Sequence, residues 1–371
     1  MKIKAVLISV VFVICLAIVV FIRQSISGTF SIHHVDCYET DKDWSGFRFD
    51  NLVLTNDKSF IRIDSLDNPG FLESPATKTD FEFNEILLSW NCNTSISNGL
   101  YFVLSVSPDS INWYNFAYQK WGKDISGEIE IGNEQNEFAG IGTLHADIVK
   151  LDMAMKFYKF SLAIVCPENE LLLLDRISVV YSNTKANLQE YNCYKLPAMN
   201  ISPSTLALPF MSQHSLPDSI SNKACSQVCL AMILNYHNRQ YSPIEVAEIS
   251  YDSYNEIYGN WLYNVQAAYM LGLQKTWVGR HSSFNEIAEE IYKGNPVAIS
   301  ISFENGYLFN APYKQTKGHI IVVRGFDNDG NVLVNDPYGK TVSEGVNKYD
   351  IDELTEAWVS HGGIAYHLWP K

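Results

Sequence analysis

The sequence changes its pattern near its middle, and this change limits the folds that are open to the chain. From Phe47 to Tyr181, short apolar or alternating runs follow one another, separated by turn sequences such as SNG, SPDS and PENE. Closely spaced runs of this kind, with little helical periodicity, are typical of antiparallel β-sandwiches. We therefore predict an all-β, jelly-roll-like sandwich over residues 38–185, followed by a polar linker over residues 186–204.

The second half begins with helical patterns and ends with strands. Ser242, followed by Pro243 and then by Glu245, has the pattern of a capping box at a helix start. An amphipathic helix is predicted from Phe284 and should stop at Gly294. The runs PVAISISF, HIIVVRGFD and NVLVND then read as strands. Helices followed by an antiparallel sheet predict an α+β domain over residues 205–371.

The N-terminus predicts export. No charged residue occurs from Ala5 to Ile22, and about 20 apolar residues suffice for a helix to cross a bilayer. Lys2 and Lys4 precede this run, which should keep them in the cytoplasm and place the following chain outside. We therefore predict a membrane anchor or signal peptide over residues 1–27, and an extracytoplasmic protein of the cell envelope that is either anchored or secreted.

Charge and cysteine content exclude several classes of function. The net charge of −14 argues against a nucleic-acid partner, because no block of Lys and Arg residues offsets a phosphate backbone. Seven cysteines in 371 residues are too few for a disulfide framework, although the sequence is compatible with a single bridge between Cys37 and Cys193. Cys225 and Cys229 lack a second Cys/His group at zinc-ligand spacing, so we expect neither a metal nor a cofactor.

A histidine and an aspartate are predicted to meet at one end of a hairpin. His319 begins one strand of the pair that turns at Gly330, and Asp336 ends the other strand. The first residue of one antiparallel strand and the last residue of its partner lie at the same end. With a bulge at the Gly330 turn, Asp336 would accept a hydrogen bond from the imidazole of His319 and orient it.

Cys225 is the candidate nucleophile. It stands where a helix begins, and the positive end of a helix dipole lowers a thiol pKa below its usual value of about 8.5. Cys229 lies one turn further into the same helix, beside Met232 and Ile233, and we expect it to be a buried core residue. Together with His319 and Asp336, Cys225 completes a set of side chains suited to nucleophilic catalysis.

These motifs resemble those of a broad branch of cysteine peptidase family thirty-nine. CSQVCLAMILNY, from Cys225, is similar to that branch's CSPTSxAMVLNY, and GNWLYN, GNPVAISI and GHIIVVRGFDNDGNVLVNDP follow in the family's order. The resemblance implies a papain-like fold for residues 205–371. It also implies that Gln213, in LPFMSQ, lines the oxyanion hole with its side-chain amide. The family's Pro-Thr pair is replaced here by Gln227-Val228.

The resemblance implies a thiol hydrolase that forms a thioester with its substrate. We expect an exported cysteine peptidase that acts on a peptide or protein, needs no cofactor and is a monomer. Two alternatives stay open on sequence grounds. The first is a cell-wall amidase or endopeptidase on the same scaffold. The second is a non-catalytic binding protein at the cell surface.

Overall fold

The structure is a computed structural model, and it describes residues 30–55, 60–66, 68–95, 97–125, 135–166, 172–187, 189–190 and 201–370. Within these residues the strands form two sheets, one of twelve strands and one of seven. The apolar segment predicted as an anchor lies outside the described residues. Among the residues that are described, no helix is long and apolar enough to cross a membrane.

The larger sheet takes its strands from the first half of the chain. They are β1 (Phe30–Tyr38), β2 (Arg48–Asp50), β3 (Leu52–Leu54), β4 (Ile61–Ile63), β5 (Gly70–Glu73), β6 (Thr77–Asn93), β7 (Gly99–Ser107), β8 (Tyr114–Gly122), β9 (Glu137–Phe138), β10 (Gly142–His145), β11 (Ile148–Val165) and β12 (Leu173–Ala186). Every pairing between these strands is antiparallel, as the alternating runs predict.

The long strand β11 makes this sheet fold over on itself. Its first residues pair with β6 and β10, whereas its last residues pair with β7 and β5. Trp90 of β6 therefore faces Phe102 of β7, and the two rings stack with centroids 4.5 Å apart. Large aromatic side chains of this kind provide most of the apolar area that stabilises such a core.

The larger sheet begins earlier in the chain than the sequence pattern predicted. We predicted a β domain from residue 38, but β1 begins at Phe30 and pairs with β12. The run FSIHHVDCY contains two histidines and an aspartate, which hid its strand pattern. His33 is nevertheless buried, and its imidazole is hydrogen-bonded to Ser182 at 2.8 Å.

The second half contains the smaller sheet and most of the helices. Its strands are β13 (Ser204–Thr205), β14 (Lys275–Arg280), β15 (Val297–Phe303), β16 (Thr316–Phe326), β17 (Val332–Asn335), β18 (Val346–Tyr349) and β19 (Ile364–Trp369). Its α-helices are α1 (Asp218–Ser221), α2 (Cys225–Tyr236), α3 (Pro243–Ser250), α4 (Trp261–Met270), α5 (Phe284–Tyr292), α6 (Val342–Gly345) and α7 (Ile351–Val359). The sheet is antiparallel, in the order β14-β19-β15-β16-β17-β18 with β13 beside β16.

Two helix ends lie where the capping residues of the sequence predicted them. Ser242 accepts a hydrogen bond from the backbone N–H of Glu245, and the Glu245 carboxylate accepts one from the backbone of Ser242. This reciprocal arrangement confirms the predicted capping box. The helix predicted from Phe284 is α5, and Gly294, just beyond its end, has a positive φ of 88°.

The smaller sheet is covered on both faces, which explains its continuous apolar runs. On β16, Ile320 and Val322 belong to the core that includes α2 and α4, whereas Ile321 and Val323 belong to the core that includes α5. Side chains alternate between the two faces of a strand, so a strand between two layers needs apolar residues at every position. The face with α2 shares its core with the larger sheet.

Buried polar contacts join the two halves of the chain. The Gln266 side chain donates to the carbonyl of Cys92 at 2.7 Å and accepts from the Cys92 N–H at 3.0 Å. The Asn91 side chain makes an equivalent pair of hydrogen bonds with the backbone of Thr276, at 2.7 and 3.1 Å. The two halves are thus bonded to each other through backbone groups inside a shared core.

The contact between Gln266 and Cys92 should contribute to global stability. Replacing Gln266 by Ala leaves a buried N–H and a buried C=O without partners, each costing about 1–3 kcal/mol. We expect Gln266→Ala to lower the free energy of unfolding by roughly 2 kcal/mol or more, measured by urea denaturation. The exposed Gln274, changed to Ala in the same way, should leave this free energy almost unchanged. Equal stability of both variants would contradict the assigned contact.

Candidate active site

Cys225 is the first residue of α2, where the helix leaves backbone N–H groups without intrahelical partners. The preceding Ala224 offers no side-chain cap, so these N–H groups remain available to other acceptors. Cys225 is half-buried, whereas Ser226 and Gln227 behind it are fully enclosed. The helix dipole stabilises a negative charge at this position.

His319 and Asp336 meet, although by a different register from the one we predicted. The Nε2 atom of His319 lies 2.8 Å from Oδ1 of Asp336. The bulge between β16 and β17 falls between Val323 and Gly325 rather than at the Gly330 turn. His319 pairs with Ile301 of β15 and reaches diagonally to Asp336, which follows the last residue of β17.

Asp336 is a fully buried carboxylate with four hydrogen-bond donors. Besides His319, these donors are the backbone N–H of Tyr338 at 3.0 Å and the hydroxyl groups of Tyr313 and Tyr349 at 2.9 and 3.0 Å. Burial alone raises the pKa of a carboxyl group, but the charge and hydrogen bond of His319 outweigh it and hold the pKa of Asp336 below its usual value. Asp336 is therefore ionised and fixes the imidazole ring.

Cys225 and His319 favour each other's charged forms. Burial raises the pKa of the Cys225 thiol, but the hydrogen bond and charge of His319 lower it by more, with help from the Ile320 backbone. Burial lowers the pKa of His319, but Asp336 and Cys225 raise it to about 10. Since Nε2 is occupied by Asp336, the remaining ring nitrogen, Nδ1, is the one available to Cys225. The arrangement supports a thiolate–imidazolium pair near neutral pH.

Cys229 lies deeper in the same helix and is fully buried. Its thiol donates to the carbonyl of Ile320 at 3.3 Å, one residue beyond His319. Burial and the nearby Cys225 raise the pKa of Cys229 well above its usual value. This thiol stays protonated and links α2 to β16 beside the imidazole.

Gln213 lies in a short 3₁₀ turn, Gln213–Ser215, next to the aspartate. Its backbone N–H donates to the carbonyl of Pro337, the residue after Asp336, at 2.8 Å. The side chain is buried, and its Oε1 atom has no hydrogen-bond partner. This turn holds the backbone of Gln213 beside the loop that contains Asp336.

Gln227 has a structural role that sequence reasoning missed. Its side-chain amide donates to Ser250 at 2.9 Å, to the Tyr258 carbonyl at 2.7 Å and to Asn264 at 2.7 Å. These bonds tie the start of α2 to α3 and α4. Its signal was a glutamine inside an otherwise apolar helix, because a buried amide needs partners. The residue that departs from the family motif thus supports the helix that carries Cys225.

Within the described residues, no group of three or more His, Cys, Asp or Glu side chains is placed to hold a metal ion. Cys37, one end of the possible bridge to Cys193, is a free thiol among the described residues, and its sulfur accepts a hydrogen bond from Arg176. Cys193 lies outside the described residues.

Residues 205–366 match the sequence profile of the Peptidase C39 like family. This match supports a C39-like peptidase domain over that segment. The match agrees with the resemblance seen in the motifs from Leu208 onward. Among curated proteins, none matches the chain.

Solved structures similar to this chain include three peptidases. A putative C39-like peptidase from Bacillus anthracis is 20% identical, with a TM-score of 0.35, and the match covers 46% of this chain and 98% of that one. A double glycine motif protease from an AMS/PCAT transporter, in complex with a leader peptide, is 20% identical, with a TM-score of 0.31 and coverage of 46% and 100%. The peptidase domain of Streptococcus ComA, a bifunctional ABC transporter, is 19% identical, with a TM-score of 0.29 and coverage of 40% and 93%.

The lowered pKa of Cys225 predicts its alkylation profile. Thiolate reacts with iodoacetamide, so the rate at Cys225 should stay high as the pH falls below about 8.5 and should drop only below the lowered pKa. His319→Ala removes the neighbouring positive charge and should move the midpoint up by about one pH unit or more. Peptide mass mapping after timed alkylation measures Cys225 separately from the other thiols.

Cys229→Ala is the control for this experiment. Because Cys229 stays protonated and buried, this variant should keep the wild-type midpoint at Cys225. A wild-type midpoint at or above about 8.5, or the same midpoint in His319→Ala, would contradict the thiolate–imidazolium pair.

Proposed function

We propose that this protein is an exported cysteine peptidase that hydrolyses a peptide or amide bond with Cys225, His319 and Asp336. The observation that carries the proposal is the contact of 2.8 Å between His319 and Asp336, beside a thiol at the start of α2. The thiolate is the nucleophile, the imidazole transfers protons and the carboxylate orients the ring.

The reaction proceeds through a thioester. The Cys225 thiolate attacks the carbonyl carbon, and a C–S bond forms while the carbonyl oxygen becomes an oxyanion. The Cys225 backbone N–H and the Gln213 side-chain amide donate to that oxyanion. His319 protonates the leaving nitrogen as the C–N bond breaks. It then takes a proton from water, which attacks the thioester and releases the carboxylic acid and the thiolate.

The supporting parts of the chain have proposed roles of their own. Residues 1–27 direct export and hold or release the protein at the membrane. The β-rich half, which begins with β1 at Phe30 rather than at residue 38, forms a β-sandwich beside the peptidase domain, and the residues after Ala186 connect the two. In this arrangement the protein acts as a monomer in the cell envelope, where peptides and cell-wall peptides are within reach.

A non-catalytic binding role is less well supported. Gln227 replaces the proline of the family motif, yet it makes three hydrogen bonds that hold the start of α2. The departure therefore leaves the nucleophile supported rather than displaced. A cell-wall amidase or endopeptidase uses the same side chains, and only the substrate distinguishes it.

The decisive experiment incubates the purified protein with a mixture of unrelated peptides and, separately, with purified peptidoglycan. New N-termini in the peptide mixture, identified by mass spectrometry, would show peptidase activity, and soluble stem peptides would show cell-wall hydrolysis. We expect Cys225→Ala to lower the rate by at least about a thousandfold. Absence of cleavage from both substrates, with Cys225 reactive towards iodoacetamide, would favour the binding role.

Gln213→Ala tests the oxyanion contribution in the same assay. Loss of one oxyanion donor lowers kcat by about 10²–10³. Gln274→Ala, an exposed glutamine, should retain the wild-type rate. If Gln213→Ala cleaves as fast as wild type, the amide is not an oxyanion donor.

A further inference from the structure

A polar cavity lies between the larger sheet and the peptidase domain. It has a volume of about 560 Å³ and receives side chains from both halves of the chain. We call it the hairpin cavity, because the β10–β11 hairpin forms one of its walls. Its charged and polar lining includes Glu85, Asp147 and Lys150 from the larger sheet, and Trp261, Arg280 and His361 from the peptidase domain.

The hairpin brings Asp147 into the peptidase domain. His145 pairs directly with Ile148, so Ala146 and Asp147 form a two-residue turn, with Ala146 at a φ of 48°. From this turn the Asp147 carboxylate accepts a hydrogen bond from the backbone N–H of Trp261 at 3.1 Å. Trp261 is the first residue of α4, whose dipole favours a negative charge there.

One lining residue of the cavity, His361, lies beside the strand that carries His319. His361 lies so close to Gly318 that a Cβ added there would be 3.7 Å from its Nε2 atom, and Gly318 precedes His319. On another side, the Tyr366 hydroxyl lies 3.4 Å from the Ser226 hydroxyl. Burial and the charges of Cys225 and Asp147 raise the pKa of Tyr366. An extended peptide advances about 3.3 Å per residue, so a subsite in this cavity requires the bound group to lie at least a few residues from the scissile bond.

Asp147 is a buried acid of the cavity that forms no ion pair among the described residues. Glu85 and Arg280 form an ion pair with each other. Lys150 is exposed, so water solvates its ammonium. Asp147 is only 7% exposed, and among the described residues no ion pair includes it. A buried carboxylate without a cation is costly, and a ligand that supplies a cation removes this cost.

We propose that the hairpin cavity is a substrate subsite that takes a primary ammonium group of a peptide, with Asp147 as the residue that determines this specificity. The inference rests on the proposed peptidase function and adds to it a substrate class, namely peptides with an aliphatic amine a few residues from the scissile bond. The ammonium donates to the Asp147 carboxylate while the peptide carbonyl is held at Cys225.

Binding of the amine is coupled to a proton. Burial, together with the nearby charge of Asp252, raises the pKa of Asp147 to about 7, against the hydrogen bond from Trp261 and the charge of Lys150. The carboxyl group must be ionised to bind an ammonium, so amine selectivity should increase as the pH rises through about 7. The other ionisable groups that face the cavity are Glu85, His145, Arg280 and His361.

The test uses peptidyl vinyl sulfones that alkylate the nucleophile. Matched probes carry lysine, norleucine or glutamate at each of the positions flanking the electrophile, and mass spectrometry measures the second-order rate of labelling at Cys225. At one position, wild type should react with the lysine probe about tenfold or more faster than with the norleucine probe, as a charge-assisted hydrogen bond predicts. This ratio should increase between pH 6 and pH 8.

Asp147→Asn should abolish the preference for lysine, because it keeps the shape and an acceptor for Trp261 but loses the charge. Asp152→Asn, on the exposed side of the same hairpin, should keep this preference.

If Cys225 is labelled but lysine and norleucine probes react equally at every position, or if Asp147→Asn retains the preference, the subsite is wrong while the peptidase proposal stands. If neither vinyl sulfones nor iodoacetamide label Cys225, both fail. Should Asp147→Asn not fold, a wild-type lysine ratio that does not change with pH overturns the assignment.

Discussion

The buried charge of Asp336 is the constraint around which the rest of the site is arranged. A carboxylate removed from water is stable only when hydrogen bonds and an opposite charge replace its hydration. Here two tyrosine hydroxyls, a backbone N–H and the imidazole of His319 provide them. Tyr349 comes from β18 and Tyr313 from the segment after β15, so several separate parts of the fold must be in place together. The orientation of the imidazole, and through it the charge state of Cys225, depends on this enclosure.

Polar as well as apolar contacts hold the two halves of the protein together. Asn91 and Gln266 each bond to backbone atoms of the opposite half, which fixes their relative position more strictly than apolar packing alone. Asp147 uses the same principle at the start of α4. The β-rich half is therefore part of the environment of the candidate active site.

Local patterns predicted which side chains would lie at the candidate site but not their supporting contacts. The helix start identified Cys225, and the ends of two strands identified His319 and Asp336. The register that joins them could not be predicted, because the bulge near Gly325 depends on packing against β13. Likewise, the histidines hid the strand pattern of β1, whose burial depends on pairing with β12. Gln227 stands out as a polar residue in an apolar helix, but its partners, like those of Asp147, are distant in sequence and no local pattern identifies them.

The shared core has a consequence for how such a chain can evolve. Proteins often diversify by exchanging whole modules between genes, which requires each module to have a surface that tolerates water. In this protein, the face of the peptidase domain that carries Gln266 and Thr276 is matched by Asn91 and the backbone of Cys92. A peptidase domain transferred without its β-rich half would expose that face. The two halves should therefore be inherited together, and changes on one side of their contact should be accompanied by changes on the other.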